Sequence, residues 1–280
     1  MSRIVRVFPR RTKATPTDEY AFVGDPPLFR PDADEVHVSC TFTWDIPEAQ
    51  RLGKAWAQYY STVRIGGPAF DDPGAEFVPG RYLKPGYVIT SRGCPNHCDH
   101  CFVPDREGKL RTYPVTYGWD VLDNNLLACP REHIEAVLAM LREQPHPIRF
   151  TGGLEASRVQ PWFVKAACRL RIEAVWMAYD RPAQKPYVHR AIEMFRDIGG
   201  WHESKMRRTL RCYVLVGFGD DTIAGAIERL EWVRLSGPCP MPMVYRPKKD
   251  PDEERIVTFK RALRKWLRPV AMYAKTGDTE

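Results

Sequence analysis

The chain has 280 residues, 44% of them apolar, with 42 Lys and Arg against 35 Asp and Glu, which leaves a formal net charge of +7. That length suits one domain of barrel size with an appendage and a sizeable core; it excludes a disulfide-dense miniprotein, and no apolar run is long enough to span a bilayer. The positive balance favours an anionic partner, nucleic acid first, and eight cysteines without an apolar leader after Met1 point to a reducing cytoplasm.

Residues 1–34 carry basic and proline-containing segments with little periodicity and read as an irregular arm. Residues 36–43 alternate as a strand. Pro47 then opens a helix through Tyr60 with Ala49, Leu52, Ala55, Trp56 and Tyr59 on one face. A second strand at 62–65 ends in Gly66-Gly67-Pro68, giving a short β-α-β extension. A strand-like run from Tyr87 to Ser91 leads into the sequence Ser-Arg-Gly-Cys-Pro-Asn-His-Cys-Asp-His-Cys-Phe over 91–102.

Further strands are expected at 119–122, 148–151, 174–179, 210–216 and 241–245. Between them lie helices near 130–143, 188–198 and 222–235. Six strands with helices between them, and polar or glycine-rich residues at their C-terminal ends, have the pattern of a partial (βα)6 barrel. An amphipathic basic helix is expected over 251–268, with Ile256, Phe259, Leu263 and Trp266 on one face and Arg255, Lys260, Arg261, Arg264, Lys265 and Arg268 among its charges. The resulting division is 1–84, an arm and small extension; 85–247, the core; and 248–280, a basic helix and tail.

The chemistry sits in the loop. Cys94, Cys98 and Cys101 form a C-x3-C-x2-C spacing, which can hold three irons of a [4Fe–4S] cluster and leave the fourth open to a small bidentate ligand. A structural zinc completed by His97 or His100 is the alternative, although zinc sites usually bring two separated ligand pairs.

These residues resemble the radical S-adenosylmethionine superfamily, whose loop reads C-x3-C-x-aromatic-C; His100 stands at the aromatic position. The resemblance covers most of 85–247, and the extension before it resembles a degenerate cobalamin-type domain, short and without the D-x-H-x-x-G ligand motif. It implies a [4Fe–4S] cluster and S-adenosylmethionine as cofactors, an electron donor of flavodoxin or ferredoxin type, and reductive cleavage to methionine and a 5′-deoxyadenosyl radical.

The resemblance also implies cofactor contacts at strand ends. The amine of S-adenosylmethionine would be met either at Gly152-Gly153-Leu154-Glu155, through Gly152, Gly153 and Glu155, or at Asp123-Asn124-Asn125. Asp180 would meet the ribose; Phe102, Leu215 and Gly217 would lie near the adenine. Substrate identity is left open. A nucleic-acid base or nucleotide-like target follows from the basic balance, a small metabolite or a peptide is the second class, and a structural metal-binding interaction protein is the reading outside enzymes.

Overall fold

The computed structural model describes residues 2–72, 74, 76–247 and 250–266. Two parallel sheets organise the chain. The first has four strands in the order β2-β1-β3-β4, with β1 at Ile4–Phe8, β2 at Ala21–Val23, β3 at Glu35–Ser39 and β4 at Val63–Gly66. All its pairings are parallel. Helix α1, Ile46–Trp56, buries Ala49, Leu52 and Trp56 against Val5, Val7, Val36 and Val38 in a core of its own.

The irregular arm expected over 1–34 is therefore half of this sheet. Its first strand hides from a pattern reading because Arg6 is buried in it. The Arg6 guanidinium donates to the carbonyls of Gly80 and Arg81 and pairs with Asp18. A buried charge paired through both terminal nitrogens breaks the apolar alternation without breaking the strand. Helix α1 also stops at Trp56, four residues earlier than expected, so Tyr59 leaves the core face and lies exposed beneath the Arg30 guanidinium, 3.8 Å away.

The second sheet has six parallel strands. They are β5 (Tyr87–Val88), β8 (Asp120–Val121), β9 (Ile148–Leu154), β10 (Ile172–Ala178), β11 (Leu210–Val216) and β12 (Cys239–Val244), and they lie side by side in chain order. These are the six expected from the sequence. Between β5 and β8 the chain has room only for an antiparallel pair, β6 (Ser91–Arg92) with β7 (Arg111–Thr112), and a short α2 (Val103–Glu107).

Longer helices follow: α3 (Arg131–Arg142), α4 (Pro161–Ala167), α5 (Lys185–Asp197), α6 (Glu203–Thr209) and α7 (Ile223–Ser236). One face of the sheet, with Phe150, Val175, Met177, Cys212, Val214 and Val216, packs with Ile134, Leu138, Phe163, Ile192, Phe195 and Leu230 from these helices. Full burial of each large apolar side chain contributes about 1.5–3 kcal/mol, which is what holds helices this short in place.

Helix α8, Glu253–Ala262, is shorter than the 251–268 expected, and Arg268 lies outside the described residues. Its apolar side is buried as the spacing requires: Ile256, Phe259, Leu263 and Trp266 are covered, while Lys260, Arg261, Arg264 and Lys265 are exposed. Among the described residues no helix is long and apolar enough to cross a membrane.

Candidate functional site

The three-cysteine loop leaves the C-terminal end of β5 and is tied down by residues at the ends of the next strands. Asp123, just past β8 and 1% exposed, accepts hydrogen bonds from the Thr90 amide at 2.6 Å, the Thr90 hydroxyl at 2.6 Å and the Ser91 hydroxyl at 2.7 Å. Asn124 Oδ1 accepts from the Gly93 amide at 3.0 Å. These bonds fix the stem from which Cys94 projects. Gly93 itself has φ +83°, and a Cβ there would come within 2.3 Å of the Lys109 carbonyl oxygen, so only glycine fits the turn.

Strand β9 ends in Gly152-Gly153-Leu154-Glu155. A Cβ on Gly152 would sit 2.2 Å from the Asp123 carbonyl oxygen, and this absence of a side chain lets β9 close on the segment after β8. The Glu155 carboxylate then reaches the loop. It accepts from Asn96 Nδ2 at 2.8 Å, Asn125 Nδ2 at 2.6 Å, Ser157 Oγ at 2.5 Å and Arg158 Nε at 2.7 Å. Burial pushes its pKa up, but the four donors outweigh burial and hold it below the ordinary carboxylate value. Glu155 is thus kept anionic, and Asn125 Nδ2 also lies 3.4 Å from Cys94 Sγ.

At the end of β10, Asp180 Oδ2 lies 3.3 Å from His100 Nε2, and the next residue, Arg181, donates to Asp99 at 2.7 Å. Beyond β11, Gly217 has φ +78° and its amide donates to Asp221 at 2.8 Å. The Phe218 ring meets His100 edge-on at 5.5 Å and Tyr245 at 4.8 Å. Gly217, Phe218, Tyr245, Arg255 and Phe259 line part of a cleft of about 240 Å³. Leu215 is buried in β11 two residues before Gly217, and Phe102, immediately after Cys101, is the N-cap of α2.

The sequence left two alternatives for the amine site, and both lie at the cysteine loop. Asp123 and Asn124 accept from the loop stem, and Glu155 accepts from Asn96 on the loop, from Asn125 and from its own turn. Asn96, Ser157, Arg158 and Arg181 escaped the sequence reading. The signal was there for two of them, since Ser157 and Arg158 follow Glu155 at the spacing of a short turn.

All three loop cysteines are free thiols. Burial raises the Cys98 pKa first, then the charges of Cys101 and Cys94; burial likewise raises Cys101, with Cys94 adding to it. Thiols that oppose one another's ionisation this way are a donor set relieved by a cation. Among the described residues, the group of three ligand atoms mutually within 4.8 Å is Asp123, Cys129 and His133, and the loop thiols do not form such a group. Tetrahedral zinc with bonds near 2.3 Å would draw them to about 3.8 Å apart. His100 Nε2 faces Asp180 while its buried Nδ1 has no hydrogen-bond partner, and His97 is exposed. Three thiols on one loop have the chemistry of a donor set for a cubane cluster with one iron left to a small ligand, and His100 Nδ1 keeps a zinc site as the alternative.

No family model matches the chain, and no curated protein matches it in sequence. Among solved structures it is similar to the radical S-adenosylmethionine methyltransferase TsrM from Kitasatospora setae, determined with cobalamin and a [4Fe–4S] cluster bound; the TM-score is 0.60 at 12% identity, over 88% of this chain and 76% of that one. In architecture the chain is therefore similar to a radical S-adenosylmethionine methyltransferase, and the likeness is one of fold.

Proposed function

We propose that this chain is a radical S-adenosylmethionine enzyme in which Cys94, Cys98 and Cys101 hold a [4Fe–4S] cluster with one open iron. The observation that carries the reading is convergence: groups at the ends of four successive strands, Asn125, Glu155, Asp180 and Phe218, all reach the three-cysteine loop or the residues flanking its thiols. When bound, the cluster and S-adenosylmethionine supply reductive cleavage to methionine and a 5′-deoxyadenosyl radical.

The chain's own residues do the positioning. Asp123 and Asn124 hold the loop stem. Glu155, kept ionised by its four donors, takes the ligand's ammonium group. Asp180 meets ribose hydroxyls, and the turn at Gly217 with Phe218, backed by Leu215, gives the adenine an apolar wall beside the Phe102 backbone. A one-electron donor of flavodoxin or ferredoxin type is required, in keeping with a reducing, cytoplasmic setting. In this reading 85–247 are the partial-barrel core, 1–84 an N-terminal unit before it, and α8 a basic helix after it.

The test is anaerobic reconstitution followed by iron and sulfide analysis and assay of 5′-deoxyadenosine. The wild-type chain should carry about four irons and release 5′-deoxyadenosine on reduction. Cys94→Ala, Cys98→Ala and Cys101→Ala should each lose the cluster or the cleavage, and full activity in any of them, or one zinc and no iron in the wild type, overturns the reading.

For the substrate, the exposed basic residues of α8 make nucleic acid the first class to assay, with small metabolites and peptides as the alternative. A second reading concerns a corrinoid. The N-terminal sheet is a full four-stranded parallel unit rather than the short extension expected, and open parallel sheets bind ligands at their C-terminal edge. Lacking the D-x-H-x-x-G motif, it would hold a corrinoid without that histidine; incubation with hydroxocobalamin and a count of retained corrin absorbance decides this.

A further inference from the structure

Asn125 is 4% exposed and lies between two of the groups just described. Its Nδ2 is 3.4 Å from Cys94 Sγ and 2.6 Å from Glu155 Oε2. A thiolate and a carboxylate are both acceptors, so the amide has only one workable orientation; reversed, its oxygen would face two anions. With the two N–H groups committed, Asn125 Oδ1 is left buried with no hydrogen-bond partner. Asn96, Ser157 and Arg158 direct their donors to Glu155 and leave that oxygen free. A buried carbonyl without a donor is unfavourable, and such an acceptor beside a charged carboxylate is suited to a ligand that brings N–H groups.

We propose that Asn125 joins the cluster to the amine subsite: its N–H stabilises the Cys94 thiolate, and its Oδ1 accepts from the ammonium group that Glu155 pairs with. The assignment rests on the radical reading and deepens it. A hydrogen bond to a cluster thiolate draws electron density from sulfur and favours the reduced, more negative state, which raises the reduction potential. An ammonium donor at Oδ1 polarises the same amide and strengthens its N–H donors. Ligand occupancy and cluster potential are then linked through one side chain, and the linkage is reciprocal.

The experiment uses the full, anaerobically reconstituted chain with S-adenosylhomocysteine as an uncleavable probe. Asn125→Leu removes donor and acceptor together; Asn125→Asp keeps the shape, removes the donor and serves if the leucine variant takes up no iron. Iron and sulfide are counted first, and the cluster is then titrated by EPR with and without the probe. Both variants should keep their iron while the reduced-to-oxidised ratio at fixed poise falls about tenfold, which is about 59 mV for a one-electron couple. The probe-induced shift should shrink, and the probe should bind Asn125→Leu about tenfold more weakly. Wild-type potentials in both variants overturn the donor role, and wild-type probe affinity in Asn125→Leu overturns the acceptor role. A wild-type chain that binds no cluster overturns the radical reading and this inference with it, whereas a wild-type chain that loads and cleaves S-adenosylmethionine beside unaltered Asn125 variants overturns the inference alone.

Discussion

Glu155 and Asp123 are both carboxylates at strand ends near the loop, and their surroundings give them different work. Glu155 is half-buried and faces the thiols, so Glu155→Gln should weaken S-adenosylmethionine binding at least tenfold with iron content intact, as expected for loss of a charge-assisted contact of about 1.5–3 kcal/mol. Asp123→Asn should act on the loop instead. It removes the charge that Thr90 and Ser91 donate to, so iron retention and Tm should fall more than ligand affinity does; equal effects on affinity would return Asp123 to the amine site. The pH dependence follows from Glu155. Its folded pKa is depressed, because its donors outweigh burial, so its charge is fully present above the ordinary carboxylate value and is lost only as pH falls through the lower folded value. Ligand affinity measured from about pH 8 to about pH 5 should therefore show no loss from this group, and an inflection near pH 6 absent from Glu155→Gln would contradict it.

Helix α8 shows how an element can be read correctly for composition and wrongly for one of its members. Arg255 does not stand with the exposed basic face. It donates to the carbonyls of Gly217 at 3.3 Å, Gly219 at 2.9 Å and Asp221 at 2.9 Å, pinning the turn after β11. Arg255→Ala should raise the KM for S-adenosylmethionine and cost about 1–3 kcal/mol of stability; Arg255→Lys should restore little, because one ammonium cannot span three carbonyls. Thermal melts and steady-state kinetics on both variants check this. The six long-range strands were legible because each is an apolar run bounded by turn residues. The three-residue β2 and the seven-residue α4 and α6 were not, since they are too short to display a period. The place of the cysteine loop after the first strand of the larger sheet was legible from the strand-like run before it, while Asn96 and Arg181 carry no local pattern and are brought to the loop only by tertiary contact.

At the scale of the whole molecule, much of the positive charge is paired. Arg51, Arg158, Arg181, Arg229 and Arg246 each face a carboxylate within 3 Å, while Lys260, Arg261, Arg264 and Lys265 lie together on the exposed side of α8. If nucleic acid is the substrate, Arg261→Glu with Arg264→Glu should weaken its binding and flatten the log–log salt slope by about one unit per lost phosphate contact, with uncoupled cofactor cleavage unchanged. An unaltered slope would turn the search toward metabolites and peptides. The ties on the cysteine loop, from Asp123, Asn124, Glu155 through Asn96, and Arg181, are made entirely by protein groups. If the loop holds the proposed cluster, these ties set where its thiols stand without being ligands themselves, so Asn124→Ala should slow cluster loading during anaerobic reconstitution while all three cysteines remain.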